Sequence, residues 1–118
     1  MKYTRREVFQ RVAAVAAVLS IIDGIHGLWN AGPKGLQDFV WDHHTMYFGT
    51  DVVATDRIAW KAIDAQRLLA GLAPEESSGA DKYGTWTVRQ PRHITQAGLM
   101  GLGKFRDEEI DYRLVTLG

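Results

Sequence analysis

One segment, "TDVVATDRIAWKAIDAQRLLAGLAPEE" over residues 50–76, constrains the fold more than any other part of the chain. Ile58, Ala62, Ala65 and Leu69 recur at helical spacing, and Val52, Ala59 and Ile63 widen that row into an apolar face. Thr50 or Asp51 is placed to cap the N-terminus, where a carboxylate also favours the positive end of the helix dipole. Gly71 and Pro74 supply the stop signals. A helix with such a face is stable only against another layer, so the flanking segments must provide one.

The flanks read as short strands and turns. "LSIID", residues 19–23, is an apolar run ending in an acid before Gly24, and "TMYFGT", residues 45–50, is a second run ending at Gly49. Between them "GIHGLWNAGPKG" carries four glycines and a proline and is expected to be a loop, while "LQDFVWDHH" reads either as a helical turn or as the approach to a strand. Residues 75–90 are polar and glycine-bearing, the pattern of a surface excursion. Pro91 opens a short helix, "PRHITQAGLMGLG", stopped by Gly101 and Gly103. In "EEIDYRLVTLG" the alternation of Ile110, Tyr112 and Leu114 predicts a half-exposed strand.

At the N-terminus, paired Arg5 and Arg6 before an apolar run could mark a twin-arginine export signal. The favoured reading is a helix. Thr4 and Glu7 fit a capping box, Tyr3 and Val8 a hydrophobic staple, and Val8, Val12, Val15 or Ala16, and Leu19 a buried stripe. The apolar stretch falls well short of the ~20 residues a membrane span needs, so no transmembrane segment is expected and a cytoplasmic location is favoured. The order α-β-β-α-α-β predicts a single α/β domain over residues 1–118, with a small, partly parallel three-stranded sheet in two or three layers.

Composition narrows the function classes. Lys plus Arg and Asp plus Glu balance at 14 each, which leaves no field to recruit nucleic acid. The chain has no cysteine, which removes disulfides, thiolate nucleophiles and cysteine-ligated iron–sulfur clusters together. Any metal must therefore be held by His and carboxylate ligands. Ser20, Ser77 and Ser78 lie in no nucleophile elbow, and "NAGPKG" lacks the spacing of a phosphate loop. Trp29, Trp41, Trp60 and Trp86 are expected as core or interface anchors.

The stretch "DHHTMYFGTD", residues 42–51, concentrates the chemistry. Asp23 and Asp51 are expected at one rim of the sheet, outside strand ends, where α/β folds place ligands. With His26, His43 or His44 they would form an oxygen and nitrogen set suited to a divalent metal, or to acid–base work near neutral pH. The competing reading makes Asp51 a helix cap and Asp23 a turn acid bonded to its own backbone. Adjacent histidines also point apart on any regular element. Asp56, in the first turns of the long helix, could reach the Asp51 end, with a salt bridge to an arginine as its default.

Three blocks together, "LSIIDGIHGLWNAGP", "YFGTDVVATDRIAWKAID" and "AGLMGLGKFRDEEIDYRLVTLG", resemble the C-terminal half of the domain-of-unknown-function 362 family. Asp51, Ala54 and Asp56 agree with that family's pattern, whereas Val52 stands at its usual proline and Thr55 at its usual leucine. The resemblance implies an α/β fold without an established reaction, a redox or cofactor link by association, and Asp23, Asp51 and Asp56 as candidate site residues. Its N-terminal half has no counterpart here, so the chain is expected to pair with a second copy or a partner subunit. Two functions stand: a non-catalytic module completed by its partner, or a small metal- or cofactor-binding enzyme domain using Asp23, His26, His43, His44 and Asp51.

Overall fold

The computed structural model describes residues 18–30, 36–74 and 91–118. The expected N-terminal helix, most of the expected "NAGPKG" loop and the expected excursion over residues 75–90, with Ser77, Ser78 and Trp86, lie outside the described residues. The class is mixed α/β, built from strand β1 (Ser20–Leu28), strand β2 (Val40–Gly49), helix α1 (Val52–Leu69) and helix α2 (Arg92–Leu99). Short 3₁₀ turns at Gln37–Phe39 and Asp107–Glu109 precede β2 and follow α2.

The sheet departs from expectation in three ways. Its two strands pair antiparallel, not parallel, with Ser20 opposite Gly49 and Leu28 opposite Val40. β1 does not end at Asp23 but runs on through Gly24 and Gly27. Those glycines read as loop signals, yet they are strand glycines that let aromatic rings lie against bare backbone. A Cβ on Gly27 would sit 2.1 Å from the Trp41 ring, and one on Gly24 only 2.6 Å from the Thr45 carbonyl oxygen. Third, residues 110–118 form no strand; among the described residues the sheet has two. Alternation alone does not make a strand where no neighbour supplies the ladder.

α1 starts where Asp51 caps it and ends in a Schellman turn. Leu72 N–H donates to the Arg67 carbonyl at 2.8 Å and Gly71 N–H to that of Leu68 at 3.0 Å, with Gly71 at φ 76°. α2 ends the same way through Leu102, Ala97 and Gly101, the last at φ 77°. The buried positions of α1 are Val53, Thr55, Trp60 and Arg67 rather than the predicted row. Leu69 is 83% exposed and Val52 55% exposed, because a two-stranded hairpin and one short helix are too narrow to cover a full helical face.

Two small cores result. Trp29, Phe39 and Leu72 form one, with Trp29 and Phe39 edge to face at 5.0 Å and Leu28, Trp41 and Ala70 packed around them. Val53, Trp60 and Ile94 form the other, against Ala97 and Phe105. Arg67 stitches the first core together from inside. Fully buried, its guanidinium donates to the Ala73 carbonyl at 2.7 Å, the Trp29 carbonyl at 3.1 Å and Asn30 Oδ1 at 3.0 Å. Burying this cation costs several kcal/mol, and fixed carbonyl dipoles offset it only while the fork reaches its acceptors on both sides. At the other end, Arg57 Nε and Lys61 Nζ hold the Asp107 carboxylate at 3.2 and 2.8 Å, pinning the C-terminal segment to α1.

Arg67→Ala is expected to destabilise the chain by about 3 kcal/mol, lowering Tm by roughly 10 °C, with Arg67→Lys giving little rescue. A melt of Arg67→Ala within a degree or two of wild type would contradict the stitching role. The hydrogen bond from Lys61, then the charge of Arg57, hold the Asp107 carboxyl below its ordinary 3.8. Its folded pKa being depressed, this group adds stability above pH 3.8 that fades as the pH falls further. Thermal melts across pH should therefore show Asp107→Asn below wild type at neutral pH, with the gap closing in acid.

Candidate functional site

Three of the four histidines, His26, His43 and His44, gather where the hairpin ladder breaks. Gly24 pairs with Thr45 and His26 with Asp42, so Ile25 alone faces both His43 and His44. This is a β-bulge on β2, and it places His44 at φ 52°, in the left-handed region that side chains other than glycine seldom occupy. The bulge shortens the run from residue 43 to residue 47 enough for the two rings to meet. His43 Nε2 and the Tyr47 hydroxyl share a hydrogen bond at 2.5 Å, with ring centroids 5.8 Å apart and nearly parallel. The Trp41 ring lies 5.2 Å from His43 on its other side, completing an aromatic row over the glycines of β1.

Across the strands, His26 Nδ1 meets Asp42 Oδ1 at 2.9 Å, both side chains about two-thirds exposed at 67%. Directly opposed partners of this kind contribute little in water, under about 1 kcal/mol. Burial, and then the charge of Tyr112, push the Tyr47 phenol above its ordinary 10.0. Tyr47 therefore keeps its proton at neutral pH, and the hairpin favours the neutral phenol until the solution is strongly alkaline.

The five predicted ligands do not converge. His26 turns to Asp42, His43 to Tyr47, and His44 is exposed at the bulge. Asp23 is not at a strand end; it stands in mid-strand opposite Met46 and accepts from the Ile25 N–H at 3.0 Å, the local turn bond of the competing reading. Asp51 follows β2 and adjoins the beginning of β1, since Ser20 pairs with Gly49, so the two acids do not share a rim of strand ends. Among the described residues no group of three or more His, Asp or Glu side chains forms a set that could hold a metal ion. Asp56 is half-buried in the first turns of α1.

Asp51 does carry a site, of a structural kind. Its Oδ1 accepts from Ala54 N–H at 3.0 Å, the N-cap bond of α1, and its Oδ2 accepts from Lys104 N–H at 2.8 Å. One carboxylate thus ties the start of the helix to the "GLGK" turn after α2. The turn approaches closely because Gly103 has no side chain; a Cβ there would stand 2.2 Å from Asp51 Oδ1. Thr55 is buried behind it, donating to the Asp51 carbonyl at 2.7 Å and filling the space over Gly49. A shallow depression of about 280 Å³ borders this turn, lined by Gly98, Gly101, Lys104, Phe105 and Glu109 among others, and no histidine lines it.

Sequence reasoning missed Asp42 as the partner of His26 and Tyr47 as the partner of His43. Both depend on strand register and on the bulge, for which the adjacent pair "HH" between alternating residues was the available signal. Compared with known proteins, the chain matches no family model, no curated protein and no solved structure. Among the described residues no helix is long and apolar enough to cross a membrane.

Asp51→Ala, which removes both the cap and the Lys104 acceptor, is expected to cost about 2–3 kcal/mol, and Asp51→Asn, which keeps one acceptor, about half of that. Denaturant unfolding measures both. Stoichiometric metal that copurifies with wild type and vanishes from Asp51→Asn would contradict a purely structural role.

Proposed function

We propose that this chain is a non-catalytic α/β assembly module that becomes a complete body only when a partner subunit or a second copy covers its open sheet face. The observation that carries this reading is the outer face of the hairpin. Between Ser20 and Gly24 burial alternates cleanly, Ile22 and Gly24 lying on the more buried face with Tyr47, and Ile21 and Asp23 on the exposed face with Met46 and Phe48. On that outer face Ile21 is 55% exposed, Met46 45% and Phe48 63%, with Leu19 beside them. Ile21 and Phe48 are direct cross-strand partners, so their surfaces join into one patch rather than standing as scattered apolar residues.

The histidine pairs at the bulge sit on a surface rather than in a closed pocket, which favours assembly over catalysis.

Phe48→Asp is the direct test. The side chain touches solvent in the free chain, so the variant should retain its helical content and melt within about 1 kcal/mol of a monomeric reference. In sedimentation at micromolar concentration wild type is expected above the 13.2 kDa of one chain, and Phe48→Asp at that mass. Wild type sedimenting as a monomer would overturn assembly with a second copy and leave a different partner subunit as the completing body.

A further inference from the structure

We infer that the turn closing α2, residues 99–106, is a docking tip for a lipid surface that carries anionic headgroups. The inference does not rest on the assembly reading, because it concerns a different surface from the hairpin face. Its first ground is a group of large apolar side chains that neither core uses. Leu99, Met100 and Leu102 are 69%, 75% and 65% exposed, crowded into one tight turn rather than scattered. A Cβ on Gly101, between Met100 and Leu102, would meet no atom within 4 Å, so the turn projects into open space. A projecting apolar point suits insertion among lipid headgroups, whereas a protein partner buries broad, closely fitted area.

The shape of the turn is fixed before anything binds. Gly101 N–H and Leu102 N–H return to the Gly98 and Ala97 carbonyls at 3.0 Å each, and Asp51 Oδ2 holds the Lys104 N–H at 2.8 Å. Phe105 packs into the second core, so close to Gly98 that a Cβ there would stand 2.0 Å from its ring. Held on both sides, the tip presents its apolar residues without an ordering cost on docking.

The second ground is charge. The whole chain is neutral, so any attraction to an anionic surface has to be local. Lys104 and Arg106 are exposed on either side of the inward Phe105, and both line the depression of about 280 Å³ together with Leu99 and Gly101. Glu109 lines it too, which leaves two cations against one carboxylate. Close by, Asp107 is matched by Arg57 and Lys61, and Glu108 is exposed. Around the turn, four cations thus stand against three carboxylates. Lys104 and Arg106 can reach headgroup phosphates while Leu99, Met100 and Leu102 enter the layer beneath, the division of labour of an interfacial anchor.

Flotation of the full chain with vesicles is the test, using phosphatidylcholine alone and an equimolar mixture with phosphatidylglycerol. Wild type is expected to float with the mixed vesicles, less with the neutral ones, and to be released as salt rises. Leu102→Asp is expected to weaken binding by about tenfold or more, and Lys104→Gln with Arg106→Gln by roughly 30-fold at low salt, each with unchanged helical content. Phe48→Asp, on the hairpin face, is expected to float as wild type does. Wild type that stays behind with both kinds of vesicle overturns the inference, whatever its mass in sedimentation. Flotation lost in Phe48→Asp and kept in Leu102→Asp also overturns it, by moving the lipid contact to the hairpin. So does a wild type that ignores vesicles but loses self-association in Leu102→Asp, which would make the turn a protein contact.

Discussion

A hairpin of two strands offers two faces, and α1 covers only one of them. Everything distinctive in this chain follows from that shortage. The inner face carries Ile22, Gly24 and Tyr47, with Thr55 of α1 closing over Gly49 at its end. The outer face keeps Ile21, Met46 and Phe48 in solvent. α1 is likewise too broad for what it packs against, which leaves Leu68 and Leu69 at 61% and 83% exposure. Among the described residues the apolar burial gathers in two cores of three buried residues each, and polar ties hold the segments around them.

Among the described residues, three polar ties join helix α1 to segments far from it in sequence. Asp51 connects the α1 N-terminus to the turn after α2, and Asp107 is held by two cations one helical turn apart on α1. Arg67 reaches from the far end of that helix to the chain beyond β1. They differ in kind. Asp107 is half-exposed, so water screens much of its attraction, whereas Arg67 is enclosed and depends wholly on the geometry of its acceptors. The helix acts as a spar to which the remaining elements are fastened at both ends.

How far the sequence announces this differs from element to element. α1, its Asp51 cap and its Gly71 stop could be read directly, because helix signals are local. The short α2 between Pro91 and Gly101 was equally plain. The glycines of β1 misled, since Gly24 and Gly27 look like loop residues until the Trp41 and Tyr47 rings lying over them are known. Strand direction was invisible, because alternation says which face a residue takes and nothing of its neighbour's polarity. The alternating residues after Glu109 have strand pattern but no ladder in one chain. Among site residues, the turn bond of Asp23 and the cap of Asp51 were available as local chemistry, while the His26–Asp42 pair required a register, and His43–Tyr47 a bulge, that no spacing rule supplies. Nothing local in the sequence marks Arg67 for burial; the chain beyond β1, at Trp29 and Asn30, supplies its acceptors.

The account rests on the uncovered sheet face being a site of assembly. The most direct measurement is amide hydrogen exchange of β1 and β2 as a function of protein concentration, followed alongside mass. The account predicts that protection along Ser20–Gly24 and Thr45–Gly49 rises with concentration, in step with conversion from one chain to two. Exchange in those strands that stays the same across the full range, at the mass of a single chain, would contradict it.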